Sequence, residues 1–245
     1  MPDRPDEELP LRLAVKKELR RRMRGVRGAL PASAVAERSA RLRDRLRALE
    51  AWSKARAVAL FWPIEAKNEV DLRPLFDAAR AAGKRVAFPG VSDEGAPVLR
   101  FVGLASELDD LGRGFLEPPP SAPEARPGEL DLVVVPALAI DASGHRIGYG
   151  AGFYDQLLPS HAPPALAVGV AFDFQLISEV PTTEGDVAVG WVLTDARDFA
   201  AGGTPPRLAP PPPAGPGAPT GRDPGQGAAS PWSHSRPPPS RASSA

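Results

Sequence analysis

Cysteine is absent from the 245-residue chain, which excludes disulfides and thiolate metal sites. Histidine is scarce: His145, His161 and His234 are the only three, and the last lies in a proline-rich stretch. They do not make a three-histidine metal site, and no HExxH appears. No GxSxG supplies a hydrolase nucleophile. Long apolar runs are missing too. The longest, LVVVPALAI from Leu132 to Ile140, is far too short to cross a membrane. MPDRPDEELP, at the N-terminus, has acids and prolines where a signal peptide has an apolar core. A soluble, cytoplasmic protein with no membrane partner is expected.

What is present suits a globular protein. Apolar residues make up 42%, enough for a substantial core. Net charge is zero but unevenly spread: Leu11 to Arg47 holds thirteen Lys/Arg against three Asp/Glu. That excess suggests a polyanionic partner near the N-terminus, whether nucleotide, nucleic acid or membrane surface.

From Ala201 the composition changes. Thirteen of the 31 prolines and seven glycines lie in residues 201–245, with almost no aliphatics. Such a stretch buries too little apolar surface to offset the entropy of ordering it, so 201–245 reads as a disordered tail and 11–200 as the folded domain.

The domain opens with basic helices. Leu19, Met23, Val26 and Leu30 recur at helical spacing, with lysines and arginines crowding the other positions. After Pro31 and Ser33 a second stripe begins at Val35. Short apolar runs then read as strands: Ala57 to Pro63, Arg85 to Pro89, Val98 to Val102, Leu130 to Pro136 and Leu166 to Phe172. DLRPLFDAARAAGK is a helix, with Asp71 expected as its N-cap, Pro74 in its first turn and Gly83 as its stop. Strands alternating with helices, apolar on both faces, predict an α/β fold: a largely parallel, Rossmann-like central sheet flanked by helices in three layers. Ligands of such sheets bind beyond the carboxyl ends of the strands, which places Trp62 and the chain after Pro136 at one crevice.

That chain carries RIGYGAGFYDQLL, Arg146 to Leu158. It is not a P-loop: Gly83-Lys84, the only Gly-Lys pair, is followed by Arg85. It is not a dinucleotide fingerprint, because the spacing is Gly-x-Gly-x-Gly, well beyond the strand. The anion-site chemistry stands regardless. Alternate glycines let backbone N–H groups approach a phosphate, YDQLL reads as a short helix ended by Pro159, and Arg146 adds a planar cation. The bland alternative is a flexible turn whose Asp155 complements a helix N-terminus. Carboxylates at Glu69, Asp71, Asp141, Asp155, Asp173 and Asp186 are hard oxygen donors suited to Mg²⁺.

Several ordered blocks resemble the 5-formyltetrahydrofolate cyclo-ligase (methenyltetrahydrofolate synthetase) family: KKELRRRMRGVRGAL, NEVDLRPL, GKRVAFP, GFLEP, DLVVVPALAIDASGHRIGYGAGFYD and VGVAFDFQL, then VP-x-x-E-x-D-x-x-V. The resemblance runs from about Val15 to Asp195. It implies cyclisation of 5-formyltetrahydrofolate to 5,10-methenyltetrahydrofolate, dependent on ATP and Mg²⁺, with phosphorylation of the formyl oxygen and release of ADP and phosphate. It further implies that Lys16 and Arg20 contact the ATP phosphates. The loop from Arg146 through Ile147, Gly148, Tyr149, Gly150, Ala151, Gly152 and Phe153 to Tyr154 would wrap the triphosphate. Asp155 and Asp186 would hold Mg²⁺, Glu69 would accept from the pterin, and Trp62, Phe153 and Tyr154 would wall the folate. Arg146, Tyr154 and Asp155 form the implied catalytic set. ATP and 5-formyltetrahydrofolate are the expected partners of a monomer, with no nucleic acid. Ala151 stands where the family often has glycine or lysine, and its methyl disfavours a left-handed backbone. The alternative reading is a non-catalytic relative that binds nucleotide or nucleic acid through the basic helices.

Overall fold

The structure, a computed structural model, describes residues 5–206. The expected tail lies outside the described residues from 207 onward. Helices α1 (Pro5–Gly28), α2 (Ala32–Ala48) and α3 (Glu50–Lys54) precede strand β1 (Ala57–Ala59). Helix α4 (Arg73–Ala81), β2 (Arg85–Val91), β3 (Pro97–Val102) and β4 (Leu132–Pro136) follow. The rest is β5 (Ala139–Ile140), β6 (Arg146–Ile147), α5 (Phe153–His161), β7 (Leu166–Ala171), β8 (Trp191–Thr194) and β9 (Asp198–Ala200).

Seven strands form one sheet in the order β3-β2-β1-β4-β7-β8-β9. From β2 to β8 neighbouring strands are parallel, while β3 and β9 close the edges antiparallel. Strand β4 shows why the sheet is central. Leu132 and Val134 point into one core with Leu42 and Leu46 of α2 and Leu75 and Phe76 of α4. Val133 and Val135 point into the opposite core with Leu157 and Leu158 of α5. A run apolar on both faces is therefore buried on both faces, and the three-layer α/β expectation holds. No described helix is long and apolar enough to cross a membrane.

Local expectations needed adjustment. Leu72, not Asp71, is the N-cap of α4, and it makes no side-chain cap. Asp71 instead accepts from the Arg73 backbone N–H at 3.1 Å and is drawn into an ion pair with the Arg73 side chain. Pro159 does not end α5. The helix runs on to His161 because a proline here forfeits one hydrogen bond and the next turn still closes, Ala162 N–H donating to Leu158 at 2.8 Å. Helix α1 begins at Pro5, ahead of the basic segment. At the other end, Ala201 and Gly202 donate backbone hydrogen bonds to Gly190 and Ala142, so the chain stays bound to the domain past Ala200.

Candidate functional site

The chain runs from β1 outward to β2 and β3, then returns to β4 and continues to β7 and β8 on the other side. The order reverses between β1 and β4, and at such a switch point the loops diverge and leave a crevice. A cavity of about 490 Å³ opens there. Phe61 and Trp62 after β1, Pro89 of β2 and Pro136 at the end of β4 form part of its wall. Lys16 and Arg20 line it from α1, one helical turn apart, and the glycine loop lines it from Gly148 to Asp155.

Two α1 arginines fix that loop. Arg20 Nε donates to the Gly148 carbonyl at 3.1 Å and Arg24 Nη2 to the Tyr149 carbonyl at 3.2 Å. Gly150 (φ +113°) and Gly152 (φ +66°) take left-handed backbone that a side chain would strain. Ala151 does not, so its methyl is accommodated. Ile147 is the one loop residue that does not line the cavity. It is buried behind the loop with Met23, Leu138 and Val180, anchoring it to α1 and β5. Phe153 opens α5, edge-on to Tyr154 and to Phe115.

Each carboxylate named as a metal ligand already holds a cation. Arg146 Nη2 donates to Asp155 Oδ1 at 2.9 Å, Nη1 donates to the Val187 carbonyl, and the Val187 N–H returns to Asp155 Oδ1 at 3.1 Å. Burial pulls the Arg146 guanidinium below its ordinary value, opposed by the nearby Asp155 charge. Lys16, buried on α1, donates to Thr183 Oγ1 at 2.7 Å and to Asp186 Oδ2. Burial works to raise the Asp186 carboxyl, but hydrogen bonds from Lys16 and Thr183 outweigh it and hold the carboxyl below its usual range. Asp155 Oδ2 and Asp186 Oδ1 have no hydrogen-bond partner among the described residues, and both side chains line the cavity. No cluster of three His, Asp or Glu suited to a metal occurs among the described residues.

Glu69 is buried, yet it lines the cavity. Its Oε2 accepts from the Ile64 N–H at 2.8 Å, and its Oε1 accepts from the Tyr149 hydroxyl at 2.5 Å. Trp62 packs edge-on to Phe88 and Phe76 and still lines the cavity, so it serves core and site together. The Tyr154 hydroxyl is buried with no partner among the described residues, and burial first, then Glu69, pushes its pKa far up.

Arg113, Phe115, Lys67 and Thr183 also line the cavity, and sequence reasoning assigned them no role. Arg113 immediately precedes the GFLEP block and Phe115 is its second residue, which was the available signal. Asp71, Asp141 and Asp173 do not line it. Asp141 is spent on the backbone N–H groups of Ser143, His145 and Val180, and Asp173 on Arg197 and Thr194. Gln175, fully buried, ties the Ala137 and Leu138 carbonyls to the Phe172 N–H.

The model of the 5-formyltetrahydrofolate cyclo-ligase family matches residues 12–195, a span that includes every residue of this site. The chain belongs to that family. A cyclo-ligase of Mycolicibacterium smegmatis is 46% identical over 89 residues, 36% of this chain and 46% of that relative. The Escherichia coli K12 cyclo-ligase is 33% identical over 147 residues, 58% of this chain and 80% of that one. The solved structure of Aquifex aeolicus 5,10-methenyltetrahydrofolate synthetase superposes with a TM-score of 0.68 at 29% identity, covering 82% of this chain and 99% of that chain. Membership in a ligase family makes the chain an enzyme acting on small molecules.

Proposed function

We propose that the cavity holds ATP and 5-formyltetrahydrofolate side by side and closes the 5,10-methenyl ring. The formyl oxygen attacks the γ-phosphorus and ADP leaves. N10 then attacks the activated formyl carbon, its proton is lost, and the formyl oxygen departs with phosphate. Both reacting atoms belong to the substrates. The protein therefore needs no nucleophile of its own; it aligns the reactants and stabilises charge on the phosphoryl group.

The observation that carries this reading is that one cavity joins the glycine loop to the Glu69 and Trp62 wall. A loop whose carbonyls are held toward α1 leaves backbone N–H groups for phosphate, with Lys16 and Arg20 beside them. Glu69 would accept from the pterin N–H groups, and Trp62, Phe153 and Tyr154 would supply flat walls. The free oxygens of Asp155 and Asp186 fit Mg²⁺, a hard cation that commonly takes one or two carboxylates together with substrate phosphates. Bound there, it would neutralise phosphate charge. Lys16 and Arg27 are buried and Arg20 is held on the Gly148 carbonyl, so these three charges serve the cavity and not an outer face. The test is turnover of 5-formyltetrahydrofolate with and without ATP. Product formed equally without ATP would overturn the proposal.

A further inference from the structure

Tyr149 belongs to the glycine loop, but its side chain leaves the loop and ends at Glu69, eighty residues away in sequence. Three groups meet there. The Tyr149 hydroxyl donates to Glu69 Oε1 at 2.5 Å, Arg27 Nη2 donates to the same hydroxyl oxygen, and Arg27 lies 3.8 Å from Glu69 Oε1. The Arg27 and Glu69 side chains are each only 4% exposed. Arg27 is fixed in turn, its Nε donating to the Lys67 carbonyl at 2.8 Å. The ring is flanked by cations, Lys67 at 4.4 Å, Arg24 at 5.5 Å and Arg27 at 5.8 Å from its centroid. Burial, then the Glu69 charge, keeps the phenol protonated, so it remains a donor to the carboxylate.

We infer that Tyr149, braced by Arg27, is a positioning residue that couples the two halves of the cavity: nucleotide ordering the glycine loop sets the Glu69 carboxylate for the second substrate. This rests on the function proposed above. The loop is held to α1 through its Gly148 and Tyr149 carbonyls, and the glycines on both sides of Tyr149 let its backbone adjust to a bound nucleotide. Glu69 is the more rigid, with its other oxygen tied to the Ile64 N–H. Glu69 therefore has one variable contact, and it is the one that moves with the loop. By linkage the coupling is reciprocal, and couplings of this kind amount to about 5–150-fold in affinity.

The test is calorimetric titration of the full chain with 5-formyltetrahydrofolate, with and without a saturating non-hydrolysable ATP analogue and Mg²⁺. In the wild type the analogue should tighten folate binding at least about fivefold. In Tyr149→Phe, which keeps the ring and loses only the hydroxyl, that factor should fall toward one. Glu69→Gln should reduce it too, and the double variant should lose no more than the single ones. An undiminished factor in Tyr149→Phe, or no factor in the wild type, overturns the inference while leaving turnover, and so the proposed function, intact. Absence of both folate binding and turnover in the wild type would overturn the proposed function itself.

Discussion

Lys16 on the first helix and Asp186 in the loop before β8 form an ion pair across 170 residues of sequence, at the wall of the cavity. It ties the helix that carries Arg20 and Arg27 to the body of the domain. Lys16→Ala should therefore act twice. It leaves Asp186 partly buried beside Thr183 without its cation, a loss of about 3 kcal/mol where such pairs are broken on one side. It should also raise KM for ATP. Denaturant unfolding and steady-state kinetics check the two effects separately, and an unchanged KM would remove Lys16 from the nucleotide site.

Arg146→Ala should be costlier to the fold than a surface arginine would be. The side chain is 5% exposed, and its loss strands the Val187 carbonyl and frees Asp155 to repel phosphate. A drop in stability of roughly 3 kcal/mol is expected, with a raised KM for ATP. Arg146→Lys should restore stability in part, while losing the forked contact that a lysine cannot reproduce. Equal stability for wild type and Arg146→Ala would contradict the packing described.

Glycine substitutions should separate fold from site. At Gly144 (φ +84°) an added Cβ would lie 2.4 Å from the Val189 carbonyl oxygen, so Gly144→Ala should cost roughly 3 kcal/mol or more. At Gly148 nothing lies within 4 Å and φ is not left-handed, so Gly148→Ala should melt with the wild type. Thermal melts compare them directly, and a destabilised Gly148→Ala would show that the loop is packed more tightly than its geometry indicates.

Acid should unfold the protein in two stages. Burial depresses His161, opposed by the Glu124 charge, so the unfolded chain takes up that proton first and stability starts to fall below about pH 6.5. Asp71, Asp131, Asp173 and Asp186 are also depressed, their hydrogen bonds outweighing burial. Their contribution is complete above the unfolded carboxyl value near pH ~3.9 and is lost as pH falls through the lower folded values. Urea midpoints across this range should show both steps. His161→Gln should remove the first, and persistence of that step would assign it to another group.

Much of this was legible in the sequence because it is periodic. The runs at β1, β2, β4 and β7 are apolar on both faces, and the glycine loop announced itself by composition. Strands β5 and β6, two residues each, carry no pattern long enough to read, and β8 and β9 are not among the runs read as strands. At the site, Lys16 and Arg20 were named through the family blocks, since on a helix so rich in cations charge alone does not say which ones face inward. The Tyr149–Glu69 bond, and the places of Arg113, Phe115 and Thr183 on the cavity wall, depend on chain segments brought together only by the fold. No local spacing encodes them.

The most direct measurement is near-ultraviolet absorbance of the purified protein mixed with 5-formyltetrahydrofolate, Mg²⁺ and ATP, with ATP omitted as the control. Growth of the conjugated methenyl band only when ATP is present is the predicted result. A folded protein that binds nucleotide but yields no such band would contradict the account.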